Sequence, residues 1–276
     1  MTLNLKFVKY HWFRINFNRK VTRTFERNIN KSHESEYMVL LPIVRIPFRT
    51  RILIYNRFRE TNQMAISNNA TNQLVLKGTT TIGVVCKDGV ILASDTRVTM
   101  GYFVAHKQGK KVYKIDDHIG MTIAGSVADA QKVIDIITAN AQLYRINLNR
   151  PMPISAAARM TSNLLFSARG LMAQILVGGV DDTGPHLYNL DPFGSLTEEK
   201  MTSTGSGSPL AIGVLEDKFK EGMSVQEALP IIARAVNAAM KRDIASGNNY
   251  NIIVINKKGY KELSDHEKKE LLSKGS

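Results

Sequence analysis

The chain has 276 residues, 43% of them hydrophobic, and a formal net charge of +13, a size that suits one large globular domain or two ordinary ones. The charge is uneven: residues 1–63 carry 13 basic and 4 acidic residues, whereas residues 79–276 carry 23 and 20, so binding to nucleic acid is the weakest functional reading despite the basic total. A single cysteine, Cys86, excludes an intramolecular disulfide framework and points to a reducing, cytoplasmic setting.

The basic head, residues 1–63, is rich in Arg, Asn and Phe and lacks the apolar core and small-residue cleavage site of a secretory signal. The run from Met38 to Tyr55 is interrupted by Arg45, Arg49 and Arg51, so no membrane-spanning helix is expected. Met1, Met38 and Met64 are all candidate starts. The expectation is that Met64 begins the working protein, that residues 1–63 are untranslated, removed or disordered, and that residues 64–78 form a short propeptide with a turn at Ser67-Asn68-Asn69.

From Thr79 onward the pattern becomes regular. Thr80–Lys87 and Val90–Asp95 read as strands around Asp88-Gly89, a hairpin signal. Lys111–Ile115 and Ile119–Ala124 read as two more strands, the second ending at Gly125. Val127, Ala130, Ile134, Ile137 and Ala141 then mark one face of an amphipathic helix, and a second helix is expected from Ile154 to Ala168. Gln174–Val180 and His186–Leu190 form another hairpin. A helix after Pro209 follows, then one opened by the capping box Ser224–Glu227 and running to about Ala245. Asn251–Asn256 reads as the last strand, with a solvated helical tail behind it. This order suggests two packed sheets with helix layers outside them, in one domain spanning residues 79–276.

The junction Gly78-Thr79 carries the chemistry. A threonine freed at its amino end holds both parts of a nucleophile–base pair: the hydroxyl attacks, and the α-amino group, with a reference pKa of about 7.7–8, accepts the proton. No histidine is then needed, and the six histidines are scattered without metal-ligand spacing, so no metal and no cofactor are expected. On its own a Gly-Thr-Thr-Thr run is an ordinary strand start. Cys86, inside the apolar run from Ile82, reads as a small buried hydrophobe.

Six blocks change that balance: Thr79-Thr80-Thr81-Ile82-Gly83, Ser94-Asp95-Thr96-Arg97-Val98-Thr99, Gly109-Lys110-Lys111, Gly120-Met121-Thr122-Ile123-Ala124-Gly125, Ser203 to Ser208, and Lys241 to Gly247. In this order they resemble the motif blocks of archaeal proteasome β subunits, over essentially all of residues 79–276. The resemblance implies an α+β fold, the four-layer αββα sandwich of N-terminal-nucleophile hydrolases. It further implies a threonine endopeptidase freed by autocatalytic cleavage after Gly78. Identical β subunits would form two stacked heptameric rings, capped by α-subunit rings and fed with protein substrates by an unfolding ATPase.

The resemblance also assigns roles. Lys111 is the active-site lysine, whose ammonium favours the Thr79 alkoxide and keeps the amine unprotonated; strand alternation sends Lys110 the other way. Asp95 is its counter-ion. A strict hairpin at Asp88-Gly89, however, sets Asp95 opposite Ile82, away from the face of Thr79 and Thr81, so a bulge, a longer loop or a position beyond regular pairing is required. Gly125, between a strand and a helix, supplies an oxyanion-stabilising amide. Ser206, Asp243 and Ser246 organise hydrogen bonds around the Thr79 amine and the attacking water. Val98, Ile123 and Val127 line the pocket for the side chain before the scissile bond. Two competing readings are a catalytically silent ring subunit and the bacterial two-component peptidase built from six-membered rings.

Overall fold

A computed structural model of the chain describes residues 2–7, 11–16, 78–100, 103–168 and 171–273, which fall into two units, Met1–Ala70 and Thr71–Ser276. In the first unit β1 (Thr2–Phe7) and β2 (His11–Asn16) pair antiparallel, Thr2 opposite Asn16. The expected propeptide lies outside the described residues except for Gly78.

The second unit holds two five-stranded antiparallel sheets. The first contains β3 (Thr81–Cys86), β4 (Gly89–Asp95), β12 (Met201–Thr204), β13 (Tyr250–Asn256) and β14 (Gly259–Glu262), in the order β12-β3-β4-β13-β14. The second contains β7 (Val112–Asp116), β8 (Ile119–Gly125), β9 (Ala173–Asp181), β10 (Gly184–Leu190) and β11 (Leu196–Glu198), in the order β11-β10-β9-β8-β7. A small ribbon, β5 (Val98–Met100) with β6 (Phe103–His106), stands apart from both.

Every residue of β4 is buried, because this central strand is covered on both faces. Alternation divides its side chains. Val90 and Leu92 enter a core between the sheets with Leu176, Leu187 and Ile253. Ile91 and Ala93 enter a second core beneath α3 (Ser208–Lys218) and α4 (Val225–Arg242). A third core lies beneath α1 (Val127–Leu148) and α2 (Ile154–Ser167), built on Met121, Ile123, Ile134, Ile137 and Ile175. The layers are therefore αββα, as expected. Cys86, 1% exposed, belongs to the second core, and burial pushes its thiol up to about 12.

The capping box at Ser224 is formed in both directions: Ser224 Oγ takes the Glu227 N–H, and the Glu227 carboxylate takes the Ser224 N–H at 2.7 Å. Two boundaries and five short strands differ from the sequence expectation. The helix opened by that box stops at Arg242, with Asp243 as its extended C-cap. The third expected strand begins at Val112, one residue after Lys111. The strands β5, β6, β11, β12 and β14 are three or four residues long, too short for a period of two to stand out in sequence.

The hairpin register also needs correction. The β3–β4 turn is Lys87-Asp88, with Cys86 opposite Gly89, so Ala93 rather than Asp95 faces Ile82. Asp95 instead donates its N–H to the Thr80 carbonyl at 3.1 Å. Neither a bulge nor a longer loop is needed. A two-residue shift preserves the alternation, and Asp95 reaches the site because it lies level with Thr80, just ahead of the first β3 residue.

Candidate active site

Three consecutive threonines at the mouth of β3 are 5%, 0% and 0% exposed, and each is held differently. Thr81 Oγ1 lies 2.6 Å from Thr204 Oγ1, and Ser203 Oγ donates to the Thr81 carbonyl at 2.6 Å, tying β3 to β12. Thr80 donates its N–H to Asp95 Oδ1 at 2.9 Å, and its hydroxyl lies 2.7 Å from that of Ser246. Thr79 keeps its hydroxyl for the bond before it: Oγ1 donates to the Gly78 carbonyl oxygen at 2.6 Å. Its N–H donates to Ser206 Oγ at 3.3 Å.

Gly78 has no room for a side chain. A Cβ there would come within 1.5 Å of the Ala245 Cβ. Its N–H donates to Thr99 Oγ1 at 3.3 Å.

Lys111 is 4% exposed and donates Nζ to Asp95 Oδ1 at 2.7 Å. Burial lowers the Lys111 ammonium from the usual lysine range, and the charge of Asp95 and its hydrogen bond pull it back part of the way. Asp95, fully buried, is satisfied on both oxygens: Oδ1 also takes Thr80 N–H, and Oδ2 takes the N–H groups of Arg97 and Gly247, each at 3.0 Å. Such saturation is what a buried ion pair requires. Lys110 is exposed, its Nζ 5.3 Å from the centre of the Tyr113 ring.

Because α4 ends at Arg242, Asp243 is free to act as a hub. Its Oδ2 accepts from Ser206 Oγ and from Ser246 Oγ, both at 2.6 Å. Ser206 spends its proton on Asp243, so its oxygen remains an acceptor for the Thr79 nitrogen. The glycine before it is required by geometry: Gly205 has φ +91, and a Cβ would sit 2.0 Å from the Thr79 carbonyl oxygen.

Thr79, Lys111 and Gly125 line one cleft of about 300 Å³, together with Gly78, Val98 and Ile123. Gly125 closes β8 at φ +116, where a Cβ would meet the Met172 carbonyl at 2.2 Å, and the helix α1 that follows has no side-chain N-cap bond. Backbone N–H groups at such a helix start attract an anion. Of the three expected pocket residues, Val98 and Ile123 line the cleft, with Met100, Ala105 and Tyr113 beside them. The Val127 side chain lies outside the described residues. Among the described residues no group of His, Cys, Asp or Glu is arranged to hold a metal ion, and no helix is long and apolar enough to cross a membrane.

The arrangement joins a hydroxyl against a peptide carbonyl, a buried ammonium with its counter-ion, and a polar hub beside the threonine nitrogen. The model of the proteasome subunit family matches residues 75–255, which hold all of these groups. The chain belongs to the proteasome subunit family. It is similar to the proteasome subunit beta of Methanosarcina mazei, 50% identical over 201 residues that cover 72% of this chain and 96% of the relative. The proteasome subunit beta of Methanopyrus kandleri is 48% identical over 202 residues, covering 71% and 96%. The proteasome subunit beta 2 of Nitrosopumilus maritimus is 44% identical over 209 residues, covering 75% and 99%.

Within this proteasome-family domain the expected residues Thr79, Asp95, Lys111, Ser206, Asp243 and Ser246 form one connected region, with Gly125 across the cleft. Sequence reading gave no role to Thr80, Arg97, Thr99 or Gly247. Arg97 donates Nε to Asn248 Oδ1 at 2.9 Å and Nη1 to the Ile244 carbonyl at 2.7 Å, securing the loop after α4. Its signal was present, since Arg97 lies inside the Asp95 motif block, two residues from the carboxylate.

Proposed function

We propose that this chain is the proteolytic β subunit of a 20S proteasome core, a threonine endopeptidase that frees its own nucleophile. The observation that carries this is the 2.6 Å approach of Thr79 Oγ1 to the Gly78 carbonyl oxygen, in a cleft that Lys111 also lines. In self-cleavage Oγ1 bonds to the Gly78 carbonyl carbon, the Gly78–Thr79 C–N bond breaks, and the hydroxyl proton passes to the departing nitrogen. Water then hydrolyses the ester, leaving a Gly78 carboxylate and a free Thr79 amine and hydroxyl.

Peptide hydrolysis repeats this chemistry on a substrate, with the α-amine taking the Oγ1 proton and returning it to the leaving amine. Lys111 stabilises the alkoxide and depresses the amine's proton affinity. Gly125 supplies an N–H to the tetrahedral oxyanion, a contribution of about 3–4 kcal/mol in comparable sites. Ser206, Asp243 and Ser246 orient the amine and the water. The apolar lining at Val98, Ile123 and Met100 suits hydrophobic and aromatic side chains before the scissile bond.

On this reading residues 64–78 are a propeptide and residues 1–63 an extension the hydrolase domain does not need. Identical subunits assemble into two stacked seven-membered rings between α-subunit rings, and an unfolding ATPase delivers substrates in the cytoplasm. N-terminal sequencing of the active particle tests the reading: the chain should begin at Thr79, and Thr79→Ala should abolish both hydrolysis and processing while leaving assembly intact. Activity retained by Thr79→Ala would place the nucleophile elsewhere. Native particle mass with and without an α partner tests the ring arrangement.

A further inference from the structure

Asp95 is gripped along one side by the segment from Gly247 to Tyr250. Gly247 N–H reaches Oδ2 at 3.0 Å, the Asn249 carbonyl takes the Thr96 N–H at 2.9 Å, and Tyr250 stands opposite Asp95 in the β4–β13 ladder. Part of this segment is a turn outside regular structure, with Asn248 at φ +65. Arg97 holds its first part through Asn248 Oδ1 and the neighbouring Ile244 carbonyl, and the end of the chain holds the part at Asn249 and Tyr250.

The C-terminal helix α5 (Asp265–Ser273) does so through a buried lysine. Lys268, 6% exposed, donates Nζ to the Tyr250 carbonyl at 2.7 Å, forms an ion pair with Asp265 Oδ1 at 2.7 Å, and lies 5.4 Å from the centre of the Tyr250 ring. Tyr250 returns the contact, its hydroxyl donating to the Lys268 carbonyl at 3.4 Å. Asn249 Oδ1 takes the Tyr250 N–H at 2.8 Å. Helix α5 and Tyr250 are thus joined by contacts in both directions.

Burying an ammonium costs several kcal/mol unless it is paired, and Leu263 and Leu271 already seat the end of the chain on the core. An apolar side chain at position 268 would add to that seating. An ammonium aimed at a backbone carbonyl does something different: it fixes where that backbone runs. We infer that Lys268 is a positioning residue for the proposed peptidase, clamping the Asn249-Tyr250 backbone from α5 and thereby holding the Asp95 carboxylate against Lys111. The inference rests on the proposed role of Thr79 and its Lys111–Asp95 pair.

The test is kinetic, on assembled particles of the full chain, with a fluorogenic peptide carrying an apolar residue before the scissile bond. Lys268→Met should lower kcat per folded particle by about tenfold or more, the scale of effect that small misplacements of catalytic groups produce, with KM little changed. The pH profile should also move. Of the charges acting on Lys111, Asp95 and Asp243 favour its ammonium and Arg97 disfavours it. A loosened Asp95 makes the ammonium deprotonate at lower pH, so the alkaline limb of kcat shifts down. A helix that merely stabilised the domain would change the amount of folded particle and leave that limb in place. Wild-type kcat and an unshifted limb in Lys268→Met would overturn the clamp. Should that variant fail to assemble, Asp265→Asn carries the test at a side chain 74% exposed: the same downward shift supports the clamp, and a wild-type profile overturns it. Thr79→Ala and the wild type are measured alongside. A wild type without Thr79-dependent activity overturns the peptidase reading and the clamp together, whereas an active wild type beside an unaltered variant overturns the clamp alone.

Discussion

Asp95 Oδ1 accepts two hydrogen bonds from different parts of the fold, the Lys111 ammonium at 2.7 Å and the Thr80 N–H at 2.9 Å. One oxygen thus ties the lysine to the backbone next to Thr79. The distance between the ammonium and Thr79 is set by a bonded path and not by the flexible lysine stem alone, which is the preorganisation that the proposed catalysis needs.

Breaking that pair should therefore be severe from either side. Lys111→Ala is expected to reduce peptide hydrolysis by several orders of magnitude, since the alkoxide loses its stabiliser and the amine its depressing neighbour. Asp95→Asn should also lower particle stability, because an uncompensated buried charge costs about 3–5 kcal/mol. Lys110→Ala, at an exposed side chain over Tyr113, should change the rate little. Rates are compared on particles whose Thr79 is already free, so that processing does not enter. Equal losses at positions 110 and 111 would show that the facing is wrong.

The alkaline side of the pH profile should follow Lys111. Burial lowers its proton affinity, so the ammonium is given up below the ordinary lysine range near pH 10.4. Activity that needs the charged form should fall as pH rises through that lowered value. Asp95→Asn removes the group that raises it and should bring the fall to still lower pH. A kcat profile whose alkaline limb ignores Asp95→Asn would contradict the assignment.

Gly78 offers a test confined to processing. Gly78→Ala drives a methyl into the Ala245 Cβ, an overpacking of about 1–3 kcal/mol that displaces the carbonyl from Thr79 Oγ1. Self-cleavage should slow. Pairing it with Ala245→Gly should restore the rate, and particles supplied with a free Thr79 should be indifferent to residue 78. Mass spectrometry of the precursor against time reads all three outcomes.

A chain beginning at Met64 should assemble and process as well as the full chain. The basic excess lies in residues 1–63, and the family match begins at residue 75. Native mass and N-terminal sequence of the two forms check this, and loss of assembly in the short form would assign the head a role.

Local pattern was enough to read the αββα order, because period-two runs, the capping box at Ser224 and the helical face from Val127 are signals carried by neighbours in sequence. Local chemistry made Gly78-Thr79 a candidate for the proposed cleavage, but only the motif blocks raised it above an ordinary strand start, and they also supplied Asp95, Lys111 and the Ser206–Asp243–Ser246 set as proposed site residues. Register and convergence depended on the folded chain. The Asp88-Gly89 signal misplaced the turn by one residue at each strand, because turn propensity is a local preference while the packing of β4 between two cores weighs every side chain along the strand. The helix end at Arg242 was likewise decided by contacts outside the helix, as Asp243 left it to bind Ser206, 37 residues back, and Ser246. Thr80, Arg97, Gly247 and Lys268 act through partners 15 to 152 residues away, and no local pattern encodes which distant carbonyl or carboxylate a buried polar group will meet.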